Sequence, residues 1–115
     1  MGGKRLTTSD RNNRNISEKD WQKYVISKAL YNGWTYYHPP DNKPCNGRIQ
    51  KIVAGFPDLV LLKGSKITFV ELKTETGKTS LAQKEWLAKL AATGSDVFVW
   101  RPSQYKEVNK YLEEN

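Results

Sequence analysis

The chain has 115 residues, of which 37% are hydrophobic and 11% aromatic. That length suits one domain able to bury its own core, and that composition excludes disorder throughout. A single cysteine, Cys45, excludes an internal disulfide, and His38 as the lone histidine leaves no Cys/His set for zinc, so a reducing, cytoplasm-like compartment is expected.

No apolar run approaches the length of a bilayer span, and Met1 to Asn15 lacks a hydrophobic signal core, so no membrane role is expected. Residues 1–15 read as a flexible basic arm, and residues 16–115 as one domain. The net charge is +7, and residues 1–55 hold ten Lys/Arg against four Asp/Glu. The second part, 56–115, holds nine against eight. The excess therefore lies in the arm and around Lys43, Arg48 and Lys51. A basic surface attracts polyanions because neutralised phosphates release counterions. Charge alone is equally compatible with a role in solubility.

In chain order, Ser17 caps a first helix with Glu18 and Asp20 in its opening turn. Trp21, Val25 and Ala29 recur at helical spacing, and Asn32-Gly33 ends the run. A short aromatic strand, Trp34 to Tyr37, follows. His38 to Gly55 reads as a loop, with two adjacent prolines, Pro44, Asn46-Gly47 and three basic residues. Loops of that length in compact domains are usually functional or disordered. Strands over Pro57 to Leu62 and Ile67 to Lys73 flank the turn Lys63-Gly64-Ser65, a hairpin pattern. A second helix starts near Thr79 or Ser80 and stops at Gly94. Asp96 to Trp100 is a fourth strand, and Pro102 to Tyr111 a terminal helix with Ser103 as its cap. Helix, three strands, helix, strand, helix is an α/β arrangement around one mixed sheet. Its last strands are a parallel pair joined by a right-handed helical crossover.

Gly55-Phe56-Pro57-Asp58 and Glu71-Leu72-Lys73 stand at the two ends of that hairpin. Residues two apart on a strand share a face, roughly 6–7 Å apart. Ile67, Phe69, Glu71 and Lys73 therefore share one, and Ile67 and Phe69 mark it as buried. The short turn brings Asp58 across from Glu71. Two carboxylates and an ammonium then converge at one end of the sheet. Such charges are costly to bury uncompensated, and a hard divalent cation relieves them. It would polarise a phosphodiester and acidify a bound water, which Lys73 could orient. An ordinary Lys–Glu pair at a strand end would show the same short pattern. Glu18 continues the inward stripe of the first helix, and Gln83 that of Trp86, Leu87 and Leu90 in the second, where apolar residues are expected. Both are also ordinary first-turn polar residues, Glu18 favoured there by the helix dipole. Trp86 and Trp100 are expected in the core. For Tyr36 and Tyr37, stacking on exposed bases competes with one ring packing inward while the other faces solvent.

The runs Gly55-Phe56-Pro57-Asp58-Leu59-Val60, Val70-Glu71-Leu72-Lys73 and Gly77-Lys78-Thr79-Ser80, with Gln83, resemble the VRR-NUC family. This is the virus-type replication–repair nuclease branch of the PD-(D/E)xK superfamily. Ser17-Glu18, Gly33-Trp34, the aromatic strand ending in His38, and Val99-Trp100-Arg101-Pro102 extend the resemblance over nearly the whole chain after residue 16. It implies a restriction-endonuclease-like αβββαβ core with a four-stranded mixed sheet flanked by helices. It implies Mg²⁺ or Mn²⁺ on Asp58, Glu71 and the carbonyl of Leu72, with Lys73 as the catalytic lysine. Glu18 corresponds to an acid that reaches the metal through water, and Gln83 to a glutamine facing the active site. Short stand-alone members are phage-like and similar to homodimeric Holliday-junction resolvases. The expectation is thus a DNA endonuclease acting on branched DNA in the cytoplasm of a host cell or at its nucleoid. His38, Lys43, Arg48, Lys51 and Lys78 are further candidate DNA contacts. A flap or general DNA nuclease, and a module that binds branched DNA without cutting, are the alternatives. An RNA-directed nuclease is disfavoured by the lack of a recognisable RNA module.

Overall fold

The structure is a computed structural model describing residues 16–40, 44–45, 48–49 and 54–115. The predicted arm, Lys43 and Lys51 lie outside those residues, and of Arg48 only the backbone pairing is described.

Helix α1, Glu18–Tyr31, begins where the sequence places it: Ser17 Oγ accepts the Asp20 N–H at 3.0 Å. Asn32 closes it onto the Lys28 and Ala29 carbonyls, and Gly33 follows at φ +87°. Left-handed backbone there suits glycine, and it turns the chain into β1, Thr35–Tyr37. The expected loop is interrupted by a small hairpin of β2, Pro44–Cys45, and β3, Arg48–Ile49. Two-residue strands carry too little alternation to be read from sequence. Strands β4, Leu59–Lys63, and β5, Lys66–Leu72, pair antiparallel around Gly64-Ser65, with Gly64 at φ +59°. β4 therefore starts two residues after the expected Pro57. Helix α2, Leu81–Ala91, crosses from β5 to the parallel β6, Asp96–Trp100. A 3₁₀ turn, Pro102–Gln104, precedes α3, Tyr105–Glu114. Ser103 does not cap that helix. The polar side chain at this junction is Gln104, whose Oε1 accepts the Arg101 N–H at 2.8 Å.

The four-stranded sheet has the order β1-β4-β5-β6 and is mixed, as expected. Its register separates two faces. Leu59, Leu61, Thr68, Val70, Leu72 and Trp100 lie on one, buried under Trp21, Val25 and Ala29 of α1 and Val108 and Leu112 of α3. The indole donors of this core are satisfied: Trp21 Nε1 donates to the Trp100 carbonyl (2.9 Å), and Trp34 Nε1 to that of Leu112 (3.1 Å). Burying each large apolar side chain here contributes about 1.5–3 kcal/mol.

The other face corrects the sequence reading. Ile67 and Phe69 do not mark the main buried face; Ile67 is exposed and Phe69 half-buried. α2 covers this side thinly, through Phe56 set edge-on between Phe69 and Trp86. No residue of α2 is buried, so Trp86 is half-buried rather than core, while Trp100 is in the core as expected. Thr68 tolerates the deeper face because its hydroxyl shares a hydrogen bond with the Tyr111 hydroxyl at 2.7 Å. No helix among the described residues is long and apolar enough to cross a membrane.

Candidate active site

The β4–β5 hairpin decides where the charges meet. Leu59 pairs with Val70, so continuing the register sets Asp58 opposite Glu71, just outside the last paired residue of β4. Gly55 holds the approach to Asp58 against α2. Its φ is +87°, and a Cβ there would lie 2.5 Å from the Ala82 carbonyl carbon. Only glycine lets the Gly55–Asp58 turn lie directly on the first turn of that helix.

Asp58 Oδ2 accepts the Leu72 N–H at 2.8 Å. The Glu71 side chain is only 2% exposed. Its Oε2 accepts from Gln83 Nε2 at 2.7 Å and faces Lys73 Nζ at 3.6 Å, with the Lys73 side chain 14% exposed. Its Oε1 is buried with no hydrogen-bond partner. Burial, followed by the neighbouring charge of Asp58, pushes the Glu71 carboxyl up to about 8, with Lys73 opposing the rise. Glu18 is held above the usual carboxylate range by partial desolvation and then by Asp58, again opposed by Lys73. Three carboxylates and one ammonium thus share one field at this end of the sheet.

Gln83 joins two expectations that looked like alternatives. It completes a capping box for α2: Ser80 Oγ accepts the Gln83 N–H (3.1 Å), and Gln83 Oε1 accepts the Ser80 N–H (2.8 Å). The same side chain donates to Glu71 with its amide nitrogen. Glu18 lies on the exposed first turn of α1 rather than inside the stripe formed by Trp21, Val25 and Ala29, yet the charges of Asp58 and Lys73 reach it.

The remaining candidates are peripheral. His38 is exposed just beyond β1; Tyr37 pairs with Val60, so His38 lies at the same sheet end as Asp58. Tyr36 and Tyr37 are both exposed, since β1 is a three-residue edge strand; neither ring packs inward. Lys78 is exposed in the turn that leads to α2. Sequence reasoning gave no role to Arg101, whose Nη1 donates to the carbonyls of Thr74 (2.6 Å) and Glu75 (3.4 Å). No periodicity links residues so far apart in sequence.

The donor set suits a hard cation. Asp58 and Glu71 offer carboxylate oxygens, one of them buried and unpartnered, in a place where Lys73 offsets only part of their mutual repulsion. Among the described residues no three His, Cys, Asp or Glu side chains are grouped so as to hold a metal ion by themselves. An open set of one or two carboxylates is what Mg²⁺ accepts when phosphate and water complete its shell.

A mixed four-stranded sheet, with paired acids and a lysine at one end of its central hairpin, is consistent with a compact nuclease-like core. The family model described as the VRR-NUC domain matches residues 43–104, more than half of the chain, and the chain belongs to that family. A comparison with curated proteins finds no match.

Proposed function

We propose that the chain is a metal-dependent endodeoxyribonuclease that hydrolyses phosphodiester bonds, selective for branched DNA such as a four-way junction, and acting as a homodimer. The observation that carries the reading is Glu71. Its carboxylate is buried beside Asp58, shares one oxygen between Lys73 and Gln83, and leaves the other without a partner. A binding module has little reason to bury such a set at a cost in stability.

In this reading Asp58, Glu71 and the Leu72 carbonyl would hold Mg²⁺ or Mn²⁺. The bound cation supplies Lewis acidity toward the phosphate and a more acidic water. Lys73 offers a largely enclosed ammonium to the charge that develops on the phosphate or to the attacking water. Gln83 fixes Glu71 by donating to Oε2, so the free oxygen keeps one direction. Asp58 is anchored by the Leu72 N–H, which fixes the direction of its carboxylate. Glu18 adds negative potential at the exposed edge. Lys78, with the basic residues Lys43, Arg48 and Lys51, supplies phosphate contacts, and Tyr37 and His38 border the site where an unpaired base could stack. Branched-DNA selectivity and the dimer rest on resemblance to small resolvases, together with the need for two active sites at a symmetric junction.

The test is cleavage of a synthetic four-way junction, a flap and plain duplex with Mg²⁺, Mn²⁺ or EDTA. Asp58→Ala and Lys73→Ala are run alongside, with light scattering on each protein. Metal-dependent cutting, lost in both folded variants, is expected, with the junction preferred and a dimer observed. Activity retained in either variant would sink the mechanism. Salt-sensitive binding without cutting would make the chain a binding module, and preference for the flap or duplex would remove the resolvase assignment.

A further inference from the structure

Beyond the last β5–β6 pair, the Lys73 N–H still donates to the Trp100 carbonyl at 3.1 Å. The chain then turns back on itself. Thr74 Oγ1 accepts the Gly77 N–H at 3.0 Å. At Gly77 an added Cβ would lie 2.9 Å from Thr74 Oγ1 and 3.6 Å from Lys73 Cδ, so the turn folds against the lysine stem. Two contacts from the segment after β6 hold this turn from outside. Arg101 Nη1 donates to the Thr74 and Glu75 carbonyls, and the Ser103 N–H donates to Glu75 Oε1 at 3.0 Å. Arg101 is itself rooted, because its N–H donates to Gln104 Oε1 while its carbonyl accepts the Gln104 N–H, both at 2.8 Å.

We infer that Arg101 is a positioning residue for Lys73: by clasping the Thr74 and Glu75 carbonyls it fixes the 74–77 turn, and the turn holds the Lys73 amine at the Glu71 carboxylate. This rests on the reading of Asp58, Glu71 and Lys73 given above. A lysine side chain has four rotatable bonds and samples many rotamers unless it is enclosed. Here the stem is enclosed by the strand end on one side and by Gly77 on the other. A guanidinium suits the clasp because one planar NH₂ group, Nη1, carries two hydrogens and reaches two successive carbonyls. Arg101 acts through the turn and not on the phosphate.

The experiment compares wild type, Arg101→Ala, Arg101→Lys and Thr74→Val on the preferred DNA with saturating Mg²⁺. It reads kcat, KM and the hydrogen-exchange protection of the Gly77 amide. For Arg101→Ala, kcat should fall by about 10- to 100-fold with KM nearly unchanged, because a displacement near 1 Å is enough to cost that much. Gly77 should lose protection in step, and Arg101→Lys should restore part of both. Thr74→Val removes only the acceptor for Gly77 and should give the same split more weakly, so the inference stays testable if Arg101→Ala does not fold. An unchanged kcat, a kcat loss with Gly77 still protected, or a rise in KM alone would overturn the positioning role. The last would make Arg101 a DNA contact. A wild-type protein that cuts nothing overturns the nuclease reading and this inference with it, whereas a wild type and an Arg101→Ala that cut equally overturn only the inference.

Discussion

Replacing Glu71 with glutamine should make the metal-free protein more stable, and the gain should depend on pH. The Glu71 carboxyl is raised from 4.5 to about 8, first by burial and then by Asp58. In the unfolded chain the same acid ionises near its ordinary value. Between those limits the folded state binds a proton that the unfolded state has released, so stability falls as pH rises. The loss begins near the unfolded pKa and is complete once the pH passes the folded one. At about 1.4 kcal/mol per pH unit the full interval gives an upper bound of roughly 5 kcal/mol. Structural relaxation and water entry around the ionised acid bring the expected cost to about 2–4 kcal/mol. For a domain of this size that is on the order of 10 °C in melting temperature. Glutamine has the same shape, stays neutral and can still accept from Gln83. Thermal melts in EDTA should place wild type and Glu71→Gln within a few degrees at about pH 5, with the variant about 10 °C higher at about pH 8. Adding Mg²⁺ at the higher pH should raise the wild type more than the variant, which keeps Asp58 but loses the second carboxylate of the proposed site. A wild-type-minus-variant difference that is the same at both pH values would refute the burial argument.

Gln83→Ala should slow cleavage and also cost about 1 kcal/mol in chemical denaturation, because it removes both the donor to Glu71 and half of the capping box. An unchanged rate would confine Gln83 to capping. Gly55→Ala should destabilise by about 2–3 kcal/mol or fail to fold, since the added methyl meets the Ala82 backbone at a positive φ; a neutral result would mean that α2 is not docked there. Tyr111→Phe removes the hydroxyl that donates to Asp96 and pairs with Thr68 at the opposite end of the sheet from Glu71. It should cost about 1–2 kcal/mol while kcat stays within error, and a large kcat loss would show that the two sheet ends are coupled.

What the sequence made legible was local or followed from one short turn. Ser17 and Ser80 are caps because their side chains act within three residues, and Asp58 meets Glu71 because the turn at Gly64 fixes the hairpin register. Both faces of β5 are covered, one by α1 and α3 and the other thinly by α2. Apolar Ile67 and polar Thr68 therefore mislead in opposite directions. Thr68 is buried through a hydroxyl 43 residues away on α3, which no strand pattern reveals. Tyr36 and Tyr37 alternate as a half-buried strand should, but on a three-residue edge strand both stay exposed. The Arg101 clasp spans 27 residues to Thr74, and the only sequence signal for it is an arginine next to a proline after the last strand.

The capping box of α2 fixes more than a helix end. Because the Ser80 N–H must be met by an oxygen, the Gln83 amide has a single permitted orientation, with its NH₂ group toward Glu71. An NH₂ group can give hydrogen bonds but cannot take one, so Oε2 of Glu71 is held as an acceptor while Oε1 has no partner. Oε1 is the oxygen left without a partner, the one free to meet a proton or, in the proposed reading, a cation. A backbone amide at the start of a helix thereby decides which of two chemically identical Glu71 oxygens is engaged and which is left open.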